Sequence, residues 1–363
     1  MQNSACGKLL AALIFLTVVL AVGLHFLNRN SLNSPAPVSL PTNSIAKSTF
    51  HALPVPRPQP PELDLAGQPK IPREKVEEWL ARHNRDATSL LAAFRALEDT
   101  NYLNEAATNF PNNPQVELEV LSHDEFPQDR RKWLDLFKAS SPSNSLANYL
   151  SAQDYFKNGN NDAAVQELSA ASGKSKFDAF STESRLDEED LFLSSGYSQL
   201  ESSKESMTGM SLDILPELTT LKRLAQGMGD LQKKYLDSGD ANSAANLAQM
   251  GMNLGDQLNS GDSDKYIYNQ LVGMAIKANS LSQLDQNTSY DFLDGQTPAQ
   301  VLQELKDQKT AFRELHNNFT AAYPLMTEDE MTSYVERSKI YGEVDAMKWV
   351  IQQHPPNSSQ NSR

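Results

Sequence analysis

An all-α architecture is predicted by three features of this 363-residue sequence. Apolar residues recur at intervals of three and four, not two. Helix starts carry capping residues at the expected offsets. A hairpin-like pattern of tyrosine, glycine and small residues occurs twice. The expected order is a short flank at 1–8, a single transmembrane helix at 9–28, a proline-rich linker at 29–72, the all-α domain at 73–353 and a tail at 354–363.

The transmembrane helix is predicted from Leu9 to Leu27, an almost uninterrupted apolar run flanked by Lys8 and Arg29. At 1.5 Å per residue such a run reaches about 28 Å, close to the hydrocarbon thickness of a bilayer. A cleaved signal peptide is the alternative. The run is longer than a usual signal core, and Leu27-Asn28-Arg29-Asn30 is a poor cleavage site, so an uncleaved signal anchor is expected. The short N-terminal flank suggests an inside N-terminus and a translocated domain. The lone Cys6 would then stay on the reducing side.

The linker holds ten of the 19 prolines between Ser31 and Pro72. Proline fixes φ and removes a donor, so neither a helix nor a central strand is expected there. Val55-Pro56-Arg57-Pro58-Gln59-Pro60-Pro61 reads as polyproline II, a spacer that holds the domain off the membrane.

The helical texture begins at Arg73. Val76, Trp79 and Leu80 share one face, as do Leu90, Leu91, Phe94 and Leu97, and then Trp133, Leu136 and Phe137. Asp86 is placed to cap the helix that runs through Leu97. Thr297 with Gln300, and Thr327 with Glu330, are capping boxes; Pro298 suits the first turn of the former. Pro355 and Pro356 stop the last helix.

Tyr155, Gly159, Ala164, Leu168 and Ala171 recur 80 residues later as Tyr235, Gly239, Ala244, Ala248 and Gly251. The tyrosine covers the apolar face of a first helix, the glycine ends it in a left-handed turn, and the small residues let a second helix approach. This spacing resembles the tetratricopeptide repeat, a two-helix unit. The resemblance covers roughly Asp99 to Gly255 and is strongest from Ser145 to Ala171. Asn148 and Ser151 stand at the family's usual Trp and Leu positions, and Lys176 stands where a proline closes the unit. A non-repeat helical bundle is the alternative. The resemblance implies a groove lined by first helices. Tyr149, Gln153, Phe156 and Lys157 fall there in one unit, and Lys233, Leu236 and Asp237 in the other.

Charge and composition exclude several functions. Asp plus Glu is 46 against 32 Lys plus Arg, a net charge of -14, which disfavours nucleic acid. One Cys rules out an intramolecular disulfide and a multi-Cys metal site. No two histidines lie at ligand spacing, and no cofactor motif or nucleophile elbow occurs, so no catalytic, cofactor-binding or metal residues are assigned. His123-Asp124-Glu125 reads as an acidic loop leading into a helix. Glu188-Glu189-Asp190 and Glu328-Asp329-Glu330 read as helix N-termini and solvated faces. The six methionines from Met207 to Met274 read as gap fillers.

The sequence thus predicts a non-catalytic scaffold or assembly factor. Residues 9–28 anchor it in the inner membrane, with the domain in the periplasm. Its expected partner is a protein or extended peptide of the membrane or envelope. An envelope hydrolase with facing carboxylates and a purely structural spacer are the alternatives.

Overall fold

The computed structural model describes residues 71–355. The predicted anchor at 9–28, the linker through residue 70 and the tail from 356 lie outside the described residues. Ile71 is already buried in the core, although the sequence assigns it to the linker. Fourteen α-helices, with no β-strand, make up the described residues. They are α1 (Arg73–Arg82), α2 (Ala87–Leu97), α3 (Thr100–Asn109), α4 (Pro114–His123), α5 (Arg130–Ser140), α6 (Leu146–Lys157) and α7 (Asn161–Ser172). There follow α8 (Ser181–Ser194), α9 (Gln199–Asp237), α10 (Ala241–Leu258), α11 (Ile267–Leu281), α12 (Pro298–Ala322), α13 (Glu328–Tyr341) and α14 (Glu343–Gln353). None of these helices is long and apolar enough to cross a membrane.

Local chemistry explains the helix starts. The Asp86 carboxylate accepts from Ser89 N at 2.9 Å. The capping boxes at Thr297 and Thr327 both form, each with its N3 side chain bonded back to the cap N–H. Glu328, Asp329 and Glu330 lie in the first turn of α13, where they complement the helix dipole.

The helices pack as neighbouring hairpins: α2 with α3, α4 with α5, α6 with α7, α9 with α10 and α13 with α14. Successive hairpins touch through α2–α4, α3–α4 and α5–α6, so the domain is solenoid-like. The core runs through it, with Trp79, Leu90, Leu103, Phe137, Tyr149 and Leu168 among its fully buried side chains. A smaller aromatic group, Phe319 with Tyr323 and Tyr334, ties α12 to α13.

The turn that recurs in the sequence recurs in space. Gly159 and Gly239 have φ of +74° and +83°. Asn160 N donates to Tyr155 O at 3.0 Å, and Asp240 N donates to Tyr235 O at 2.8 Å. Asn160 then caps α7 through Ala163 N, as Asp240 caps α10 through Ser243 N. Ala164, Leu168 and Ala171 are buried, and so are Ala244, Ala248 and Gly251.

Polar residues stand in for the apolar packing the repeat pattern leads one to expect. Asn148 and Ser151, both buried, donate to Glu167 on α7 at 2.6 and 2.9 Å, and Lys138 on α5 reaches the same carboxylate at 2.7 Å. Lys176 closes the unit through its backbone: Ser145 N donates to Lys176 O at 2.7 Å. The first helix of the second unit is α9, which runs 39 residues and packs on α2, α4, α6, α8, α10, α11 and α13.

Candidate functional site

The first helices of the array are α2, α4 and α6, and α9 lies against all three. The face that the sequence assigns to a partner is therefore covered, at least over α6, by the chain's own helices. Tyr149 is fully buried and its hydroxyl donates to Gln257 on α10 at 2.9 Å. It is a core residue in this fold and offers no surface. Gln153 is half-buried. Phe156 is half-buried against Gly227 of α9, where an added Cβ would lie 3.1 Å from its ring. Gly227 is thus a close-approach position within a helix. Lys157, Lys233 and Asp237 are exposed and Leu236 is half-buried, on the last turns of α6 and α9.

A buried polar knot fastens α8 and α9 to the array. Arg95 of α2 has 4% of its side chain exposed. Its guanidinium reaches Glu119 of α4 at 3.0 Å and Glu188 of α8 at 2.5 Å. His123 pairs with Glu119 at 3.2 Å and meets the Phe94 ring edge-on. The Ser122 hydroxyl donates to Glu217 of α9. Among the described residues the guanidinium serves carboxylates from two helices, and Glu217 is held by a neutral hydroxyl.

The titration of these groups follows from that sharing. Burial opposes ionisation of Glu119, but Arg95 and His123 outweigh it and hold its carboxyl below the usual range. Burial pushes Glu188 up against the pull of Arg95. Burial pushes Glu217 up to about 7, the Ser122 bond offsetting only part. Burial alone would lower the His123 imidazole, yet its bond to Glu119 raises it.

Two sequence readings need correction here. His123 ends α4 and Asp124 is its left-handed cap, so the cluster closes a helix and does not lead into one. Glu188 and Glu189 are not on a solvated face; they are 3% and 5% exposed. Glu189 meets Lys339 of α13 at 2.7 Å, and Asp190 accepts from the Trp79 indole at 2.7 Å. Met228 and Met274 are buried gap fillers.

No family model matches the chain, and neither a curated protein nor a solved structure matches it. The likeness to helical repeats rests on the spacing and hairpin geometry above. Among the described residues no cluster of three His, Cys, Asp or Glu side chains is placed to hold a metal ion.

A pH dependence of stability is expected. Glu217 and Glu343 have folded-state values near 7 against an ordinary 4.5, both raised chiefly by burial. Between those values the folded state binds more protons than the unfolded state, so stability falls as pH rises. Glu188 and His123, also raised, act in the same direction. Each shift near 2.5 is worth on the order of 3 kcal/mol at full ionisation. The unfolding midpoint should therefore be higher at pH 5 than at pH 8, by about 5 °C or more. Glu217→Gln should flatten the slope; an unchanged slope would mean that Glu217 ionises freely.

Proposed function

We propose that the protein is a membrane-anchored, non-catalytic scaffold or assembly factor. A tetratricopeptide-like domain outside the cytoplasm binds a protein or an extended segment of one. The recurrence of one hairpin turn at Gly159 and Gly239 carries this reading. Stacked hairpins build a long surface whose ordinary use is to hold another chain. Because α9 packs over α6 and Tyr149 of α6 is bonded to Gln257 of α10, the contact is assigned to the last turns of α6 and α9, at the exposed Lys157, Lys233 and Asp237 and the half-buried Leu236.

Protease treatment of intact spheroplasts, with crosslinking and mass spectrometry on the same sample, tests the reading. The domain should be digested from outside and crosslinked to an envelope protein. Lys157→Glu with Lys233→Glu should lower the crosslink yield about tenfold, the loss expected of one or two hot-spot contacts. Protection until the membrane is lysed would overturn the location, and unchanged crosslinks in the charge-reversed protein would overturn the site.

The hydrolase alternative draws on the raised carboxyls Glu188 and Glu217. Their contacts with Arg95 and Ser122 suit a packing role better, because each acid is already engaged by a side chain of the array.

A further inference from the structure

Arg185 of α8 is 2% exposed, and its Nε has no hydrogen-bond partner. It forms no ion pair among the described residues. The two acids that follow it at three and four residues are committed elsewhere: Glu188 to Arg95 at 2.5 Å, Glu189 to Lys339 at 2.7 Å. A guanidinium stays charged at any physiological pH, so burial without a counter-ion costs several kcal/mol.

The surroundings of Arg185 are polar and under-satisfied. Its charge acts on Tyr266, Tyr268 and Glu343. The Tyr268 hydroxyl is buried and has no partner. Tyr266 and Tyr268 stack with ring centroids 5.6 Å apart, and Thr182 lies 3.5 Å from the Tyr266 hydroxyl. Glu343 is turned to the start of α11, where it accepts from Ile267 N at 2.8 Å. The Nε of one buried cation and one buried hydroxyl thus lack acceptors, and one oxygen of the Glu343 carboxyl is taken by Ile267 N.

We propose that Arg185 and the Tyr268 hydroxyl bind a small oxyanion, of the phosphate or carboxylate class, where α8 meets the start of α11. The guanidinium fork presents paired N–H donors that match two oxygens of such an anion, and the phenol supplies a further donor. Burial of Arg185 limits the ligand to one that enters by local opening. The site does not depend on partner binding.

Thermal unfolding of the full chain, at constant ionic strength and at mildly acidic pH, tests this. The additives are inorganic phosphate, acetate and glycerol 3-phosphate, with chloride as the reference. Phosphate or acetate should raise the midpoint saturably, by about 3–5 °C at roughly tenfold its dissociation constant. Equal stabilisation by glycerol 3-phosphate would keep the site and assign it to a phosphate ester. Arg185→Met should abolish the response and, without added oxyanion, unfold no earlier than the parent, because an apolar side chain replaces an unpaired charge. Tyr268→Phe, which preserves shape, should weaken binding about tenfold. No response beyond chloride in the parent, or a full response in either variant, would overturn the site. A large drop in the Arg185→Met midpoint in oxyanion-free buffer would also overturn it, since Arg185 would then be paired within the chain.

Discussion

Arg95→Ala is expected to destabilise the domain by about 3–5 kcal/mol at pH 8, the usual cost of removing one partner from a buried ion pair. The side chain is 4% exposed and bridges Glu119 of α4 and Glu188 of α8. Its loss leaves two carboxylates in a low-dielectric region; among the described residues His123 pairs with Glu119 and not with Glu188. Protonation of the orphaned acids provides a check internal to the experiment. Lowering the pH to 5 neutralises them, so much of the loss should be recovered there. Urea unfolding at both pH values measures the difference. A cost under about 1 kcal/mol at pH 8, or an equal cost at both, would mean that Arg95 is not their counter-ion. Replacing Arg95, Glu119 and Glu188 together by apolar residues of similar volume should restore most of the stability, because the desolvation cost disappears with the charges.

That cluster shows where sequence reasoning stops. Helix starts at Asp86, Thr297 and Thr327 are legible because a cap and its N–H partner lie within three residues. The turn at Gly159 and its copy at Gly239 are legible for the same reason. The acidic run at Glu188-Glu189 is not, because its partners Arg95 and Lys339 lie 93 and 150 residues away in the chain. One signal was present. Arg95 is the only charge in Leu90-Leu91-Ala92-Ala93-Phe94-Arg95-Ala96-Leu97, and a single cation in an apolar run has to find a buried anion.

The face of α6 was legible in part as well. Tyr149, Gln153 and Phe156 do share a direction, and the residues opposite two of them belong to α9 and α10. Periodicity identifies an apolar face; it does not say which helix covers it. A repeat pattern read alone leaves that face to a ligand. The 39-residue α9 supplies a cover from within the chain.

The crossing of α10 and α11 carries the second large effect. An added Cβ at Gly255 would lie 2.8 Å from Gly273 O, and one at Gly273 would lie 2.8 Å from Gly255 O. Each glycine faces the other's backbone carbonyl, so no rotamer change relieves the clash and the helix axes must separate. Both helices bury apolar residues at this contact, among them Leu254, Leu258 and Ile276, so separation also opens the core. Gly255→Ala or Gly273→Ala should therefore cost about 2–4 kcal/mol, overpacking plus lost burial. The sign is diagnostic, because the same change in an unconstrained helix interior would gain about 1 kcal/mol. At Gly251 a Cβ would overlap the Ser280 hydroxyl, which can rotate away, but it would also lie 2.9 Å from Ser280 Cβ, which its helix backbone fixes, so Gly251→Ala should be destabilising as well. Thermal unfolding should place all three variants below the parent. A neutral or stabilising result at Gly255 and Gly273 would mean that the two helices sit farther apart than this packing requires. The close approach of α10 and α11 would then not depend on small residues at their crossing.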